Sequence, residues 1–109
     1  MRFDHEGLDA YKLAVEVARW FRATRFPRGD ADLHDQGKRA SQSVALNIAE
    51  GRARTAKSRI HGVGGDHSTI AHGSAAEACA VLDVVDVAAG AEQQNKLRRV
   101  GQMLRGMGA

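Results

Sequence analysis

Asn47 and Glu50 stand three residues apart, close enough on a helix for their side chains to share one side. A carboxylate in that setting could act as a general base or contact RNA. It could equally belong to a hydrogen-bonded pair that fixes helix register, because an unsatisfied polar group at an interface is costly. The structural reading is preferred. No serine, histidine or second carboxylate falls at a spacing that would complete a catalytic set, so no enzymatic activity is expected.

The other chemistry-bearing residues are cations and histidines. Arg52, Arg54, Lys57 and Arg59 place four positive charges in eight residues, uninterrupted by acids. Such a run could contact phosphates. It could also be a solvated helix end whose cations meet the C-terminal dipole favourably. Lys12, Arg19 and Arg22 offer a second basic face, diluted by Glu16. No aromatic side chain stands near the run from Arg52 to Arg59, which argues against base-specific recognition of single strands. His61, His67 and His72, with Cys79, are the residues a metal would use. His67 and His72 are five apart, unlike an i, i+4 ligand pair, and the Glu-x-x-His signature of diiron bundles is absent. Neither a metal nor another cofactor is expected. Gly62-Val63-Gly64-Gly65 lacks the preceding strand and the Gly-Lys-Ser/Thr ending of a phosphate loop, so a helix interruption explains it better.

Helices must position these residues. Ala10, Leu13, Ala14, Val17, Ala18, Trp20 and Phe21 share one side of a first helix expected from Leu8 to Arg25, and Lys12, Glu16, Arg19 and Arg22 share the other. Pro27, Gly29 and Asp30 make a turn. A second helix, capped by Asp30 or Asp32, should reach Arg52 with Leu33, Gly37, Ala40, Val44, Ile48 and Gly51 inward. Leu46 points nearly the opposite way, beside Ala45 and Ala49, and marks a second contact surface. The glycines from Gly62 to Gly65 predict a break, with Asp66 capping a restarted helix. Gly73-Ser74-Ala75-Ala76 reads as a small-residue helix contact. Ala80 to Val87 reads as helix, because only a helix puts Asp83 and Asp86 on one polar edge. Its wide apolar arc would need partners on two sides. Gly90 precedes a last helix from Ala91 to Met107, with Leu97, Val100, Leu104 and Met107 inward.

At 109 residues the chain holds one domain, and its 43% hydrophobic content excludes a wholly disordered polymer. Alanine occurs 19 times against five aromatics, so the core must gain its packing from close helix approach. The net charge of +3 is a mild basic excess compatible with an ordinary surface. Cys79 is the chain's one cysteine, the N-terminal segment lacks the apolar core of a signal peptide, and no apolar run could span a membrane. The expected setting is the reduced cytoplasm.

Ser41 to Arg52, densest over Ser43 to Gly51, together with Ile70-Ala71-His72-Gly73-Ser74, Glu77 and the helix-ending Phe26-Pro27, resembles the small bacterial four-helix bundle proteins, the 23S rRNA-intervening sequence protein family. The resemblance covers most of the chain. It implies an all-α, antiparallel up-and-down bundle that assembles as a homopentamer, with Leu46, Asn47, Glu50, Gly73, Ser74 and Glu77 as structural or interface residues. Some such proteins are encoded inside ribosomal RNA genes. A related accessory protein of diversity-generating retroelements forms a basic pentameric barrel that engages a reverse transcriptase and nucleic acid. This chain departs from the pattern at Gly62, Gly64 and Gly65, where the third helix is usually uninterrupted.

Two functions follow as expectations. One is a non-enzymatic, self-assembling bundle whose basic surface binds RNA or DNA without strong sequence preference, through Arg52, Arg54, Lys57 and Arg59. The other is a structural or interaction module with a protein partner such as a reverse transcriptase, in which the positive charge is incidental. No membrane partner is expected.

Overall fold

Residues 1–55 and 63–106 are described by a computed structural model. A short 3₁₀ turn, Asp4–Gly7, precedes helix α1, Asp9–Ala23. Ala10, Ala14, Val17, Ala18 and Phe21 are its buried side, as their spacing predicts. The helix stops at Ala23, two residues before the expected end, because Thr24 is extended. That turn folds Phe26 back against Trp20 and Phe21 and stacks it on His34 at 4.3 Å. His34 Nε2 donates a 2.7 Å hydrogen bond to the Phe21 carbonyl, one of the last four of the helix without an internal partner. The reversal is a turn closed by Asp30 N–H on the Pro27 carbonyl at 3.1 Å, with Gly29 at φ +97°.

Helix α2, Ala31–Thr55, runs 25 residues, about 37 Å at 1.5 Å per residue. Asp30 occupies its cap position, since the Asp30 carbonyl accepts His34 N–H at 2.9 Å, and Asp32 lies in the first turn. Gly37, Ala40, Val44, Ile48 and Gly51 are buried and Leu33 is half-buried. A Cβ at Gly37 would overlap the Phe21 ring, so the missing side chain is what lets α1's largest core residue lie against α2.

Helix α3, Gly65–Val84, corrects two expectations. Gly64, not Asp66, holds the cap position; Asp66 is the second helical residue, where its charge still meets the N-terminal dipole. The Gly64 N–H is taken by the Gly51 carbonyl at 3.3 Å, which fixes where the helix restarts. Gly62 lies outside the described residues. At the other end the helical reading of Ala80–Val87 holds only to Val84. Val85 is extended (φ −109°, ψ 118°) and Asp86 is not helical, so the shared polar edge with Asp83 does not form. Asp83 is instead held by Gln94 Nε2 at 2.8 Å. The wide apolar arc is largely covered within the chain: Val81, Leu82 and Val85 are buried, and Val84 is left exposed.

Helix α4, Gly90–Gly106, begins at the glycine expected to precede it. Gly90 is buried beneath Leu82, and Ala89 takes the left-handed conformation, φ 67°. Leu97, Val100 and Leu104 face the core, while Met107 lies outside the described residues.

α1 packs on α2, α2 on α3, α3 on α4, and α4 back on α1. Hydrogen bonds joining Ser43 to Ser74 and Asn47 to His67 run in opposite chain directions, so α2 and α3 are antiparallel. The result is an up-and-down four-helix bundle measuring 48 × 27 × 20 Å. No helix among the described residues is long and apolar enough to cross a membrane.

Candidate nucleic-acid interface

Asn47 and Glu50 do not bond each other; both turn to His67 on α3. Asn47 Nδ2 donates to the Ser43 carbonyl at 2.9 Å and to Ser43 Oγ at 3.1 Å. Its Oδ1 is then left to accept from His67 Nδ1 at 3.1 Å, which places the ring proton on Nδ1. Ser74 Oγ donates to Ser43 Oγ at 2.9 Å. Glu50 Oε2 stands 3.8 Å from His67 Nδ1, and Glu50 Oε1 accepts from Arg54 at 3.0 Å. The Arg54 hydrogen bond and the His67 charge hold the Glu50 carboxyl below its ordinary value. This polar seam ties α2 to α3 and uses the His67 nitrogen that faces Asn47. Sequence reasoning considered His67 but did not find its partners Asn47 and Glu50, because that pairing depends on the register of two helices, which helical periodicity within either one does not specify.

Close approach supports the seam. A Cβ on Gly51 would lie 2.5 Å from Val63 Cγ1 and 2.6 Å from His67 Cβ, so glycine there is a packing requirement. Gly73 differs: a Cβ would meet open space, and Gly73 and Ala76 are exposed. Within the chain, the expected small-residue contact over Gly73-Ser74-Ala75-Ala76 therefore reduces to Ser74 and Ala75. Leu46 is 67% exposed and Glu77 is exposed.

The basic run after Gly51 is divided by the fold. Two residues of separation send Arg52 and Arg54 to different sides of α2. Arg52 keeps 15% of its side chain exposed and reaches Asp4 of the 3₁₀ turn at 3.5 Å. Arg54, 66% exposed, is paired with Glu50 at 3.0 Å. Lys57 and Arg59 lie outside the described residues. The run carries no acid along the chain, yet tertiary structure and the preceding helical turn supply one to each described member.

A second basic site is assembled from two helices. Arg22 of α1 and Asp35, Lys38, Arg39 and Gln42 of α2 line one groove. Positions 35, 38, 39 and 42 follow the i, i+3, i+4, i+7 spacing of a single helix face. Lys38 pairs with Asp35 at 3.1 Å; Arg22 and Arg39 are exposed and have no ion pair among the described residues. Residues 19–39 hold six cations and three acids, a surplus equal to that of the whole chain, while the remaining residues balance at ten of each sign.

Between α3 and α4 a second groove has an apolar floor of Ala75, Ala76, Leu97 and Gly101, with His72, Cys79, Arg98 and Arg105 around it. Burial pushes the Cys79 thiol up, against what an activated thiolate nucleophile requires. Among the described residues no three His, Cys, Asp or Glu side chains gather as a metal would need.

The model of the 23S rRNA-intervening sequence protein family matches residues 6–106. The chain belongs to that family. Comparison with curated proteins gave no match, and comparison with solved structures gave none either. In this member of the 23S rRNA-intervening sequence proteins, the resemblance residues separate into two groups. Asn47, Glu50 and Ser74 join the α2–α3 seam, whereas Leu46, Gly73 and Glu77 lie on the outer surface.

Proposed function

We propose that the protein is a non-enzymatic bundle that associates with copies of itself and offers a basic surface to the backbone phosphates of RNA or DNA, without strong sequence preference. The observation that carries this reading is the gathering of Arg22, Lys38 and Arg39 from two helices into one groove, within a segment, residues 19–39, that holds six cations and three acids. Cations collected on one part of a small protein attract phosphates more strongly than the same number scattered among acids. The run Arg52, Arg54, Lys57 and Arg59 is a second candidate for phosphate contact, separate from that cluster of cations. Filter binding of a duplex at two salt concentrations tests the reading. Affinity should fall steeply as salt rises. Absence of binding at low salt would overturn it.

Self-association is supported by Leu46, Ile70 and Val84, large apolar side chains exposed at 67%, 50% and 70% on α2 and α3. The proposed assembly is a homopentamer, for which light scattering should give about five times 11.7 kDa. A monomeric mass at every concentration would remove it. The same exposed side chains favour a second reading, a protein partner such as a reverse transcriptase held through an apolar surface, whose binding would depend little on salt. A reduced cytoplasmic setting accompanies either reading, because the one cysteine, Cys79, has no second cysteine in the chain to pair with.

A further inference from the structure

We infer that the groove between α1 and α2, lined by Arg22, Lys38, Arg39 and Gln42, is the site that holds the phosphodiester backbone of a nucleic-acid duplex. This assignment rests on the nucleic-acid reading above and moves its centre away from the run after Gly51. Three observations support the move. The groove brings together cations from two helices that are 16 residues apart at their nearest, Arg22 and Lys38. Its two arginines have no ion pair among the described residues, whereas Arg52 and Arg54 are already paired. The chain around it, from Arg19 to Arg39, carries six cations against three acids.

The lining also selects the form of nucleic acid. Two guanidinium forks, one ammonium and the Gln42 amide all donate hydrogen bonds, and such donors suit phosphate oxygens. No aromatic side chain lines the groove on which an unpaired base could stack. A site of donors without a stacking platform holds a backbone whose bases are occupied with each other.

Asp35 tempers the site. Its carboxylate occupies Lys38 at 3.1 Å and repels an incoming phosphate. Both side chains are partly exposed, so the pair is weak and a phosphate can take Lys38 from it.

The test uses fluorescence polarisation of a labelled 24-base-pair RNA duplex and its DNA counterpart at two salt concentrations. The intact chain is compared with Asp35→Asn, with Arg22→Gln/Lys38→Gln/Arg39→Gln, and with Arg54→Gln/Lys57→Gln/Arg59→Gln. The groove triple variant should lose most of its affinity, and its salt dependence should flatten by about 0.9 log units for each phosphate it no longer neutralises. Asp35→Asn should bind about fivefold tighter, the effect of removing one repulsive charge about 4 Å from a phosphate in water. That gain cannot come from misfolding; for the losses, circular dichroism and melting establish that each variant is folded. The Arg54/Lys57/Arg59 variant should retain most of the binding. Failure of the intact chain to bind overturns the nucleic-acid reading and this site with it. Binding that survives in the groove variant, or is lost only in the Arg54/Lys57/Arg59 variant, overturns the site alone. Displacement of the duplex by millimolar inorganic phosphate at fixed ionic strength would replace the duplex with a small anion and also overturn the assignment.

Discussion

The two flanks of α2 are held by different means. Toward α1, shape does the work: Phe21 lies over Gly37, Phe26 stacks on His34, and His34 closes the end of α1. Toward α3, Asn47, Ser43, Ser74 and His67 form a hydrogen-bonded seam, and Glu50 draws Arg54 and His67 together. The difference governs charge. A flank built by aromatic packing needs none of the surrounding cations, so Arg22 and Arg39 stay available. A flank built by polar contacts uses nearby charge for itself. Linear charge density is therefore a poor guide to a binding surface: the continuous run is divided and partly paired, and the discontinuous set is gathered in one groove.

Gly37→Ala should break the comparison on the α1 flank with the largest effect. Its methyl would force the Phe21 ring aside, and overpacking of this kind costs about 1–3 kcal/mol. Chemical denaturation should give a midpoint clearly below the parent's. Gly73→Ala is the control, since the methyl enters open space and helix propensity favours alanine by about 1 kcal/mol. A loss of assembly in Gly73→Ala without loss of helix would place Gly73 between subunits.

Asn47→Ala should remove the centre of the α3 flank and leave His67 Nδ1–H without its acceptor, lowering stability by about 1–2 kcal/mol. Thermal melts and subunit mass report it. A variant that melts and assembles like the parent but no longer binds nucleic acid would show that Asn47 belongs to a site.

Ala89→Gly lies outside both flanks and calibrates them. Alanine at φ 67° is strained by roughly 1–2 kcal/mol, partly offset by the greater unfolded-state freedom of glycine. The substitution should raise stability by up to about 1 kcal/mol in the same denaturation assay.

Glu50→Gln should have the smallest effect, and the effect should depend on pH. Arg54 and His67 depress the folded-state pKa of Glu50 below its ordinary 4.5. The stabilisation is therefore present above that value and fades as pH falls through the lower, folded-state value. Melting temperatures from pH 7 to pH 3 should lose a small acid-side slope in the variant. Exposure to solvent keeps the change slight.

Much of the bundle was legible in the chain. Residues 10–21, 37–51 and 97–104 repeat at helical spacing, and a 3.6-residue period states which side is buried whatever it packs against. The resemblance over Ser43 to Gly51 and Ile70 to Glu77 added the arrangement of helices. Element ends were less legible. Asp66 was expected as a cap but Gly64 holds that place, and Asp86 was expected on a helix that ends at Val84. Such ends are decided by contacts from elsewhere, here the Gly51 carbonyl on Gly64 and the Gln94 amide on Asp83.

The candidate sites divide in the same way. Periodicity is local, so the sequence by itself determined the helices, their buried sides, and the side of α2 on which Leu46 would lie. Pairing between helices is not local. Asp4 reaches Arg52 across 48 positions, His67 meets Asn47 across 20, and Arg22 joins Lys38 and Arg39 only because the Pro27–Asp30 turn folds α1 against α2. Helical spacing already places Arg54 beside Glu50 and Lys38 beside Asp35. Tertiary structure alone decided that Arg52 meets Asp4 and that Arg22 shares a groove with Lys38 and Arg39, because those meetings depend on distance through space, which the order of charges along the chain does not specify.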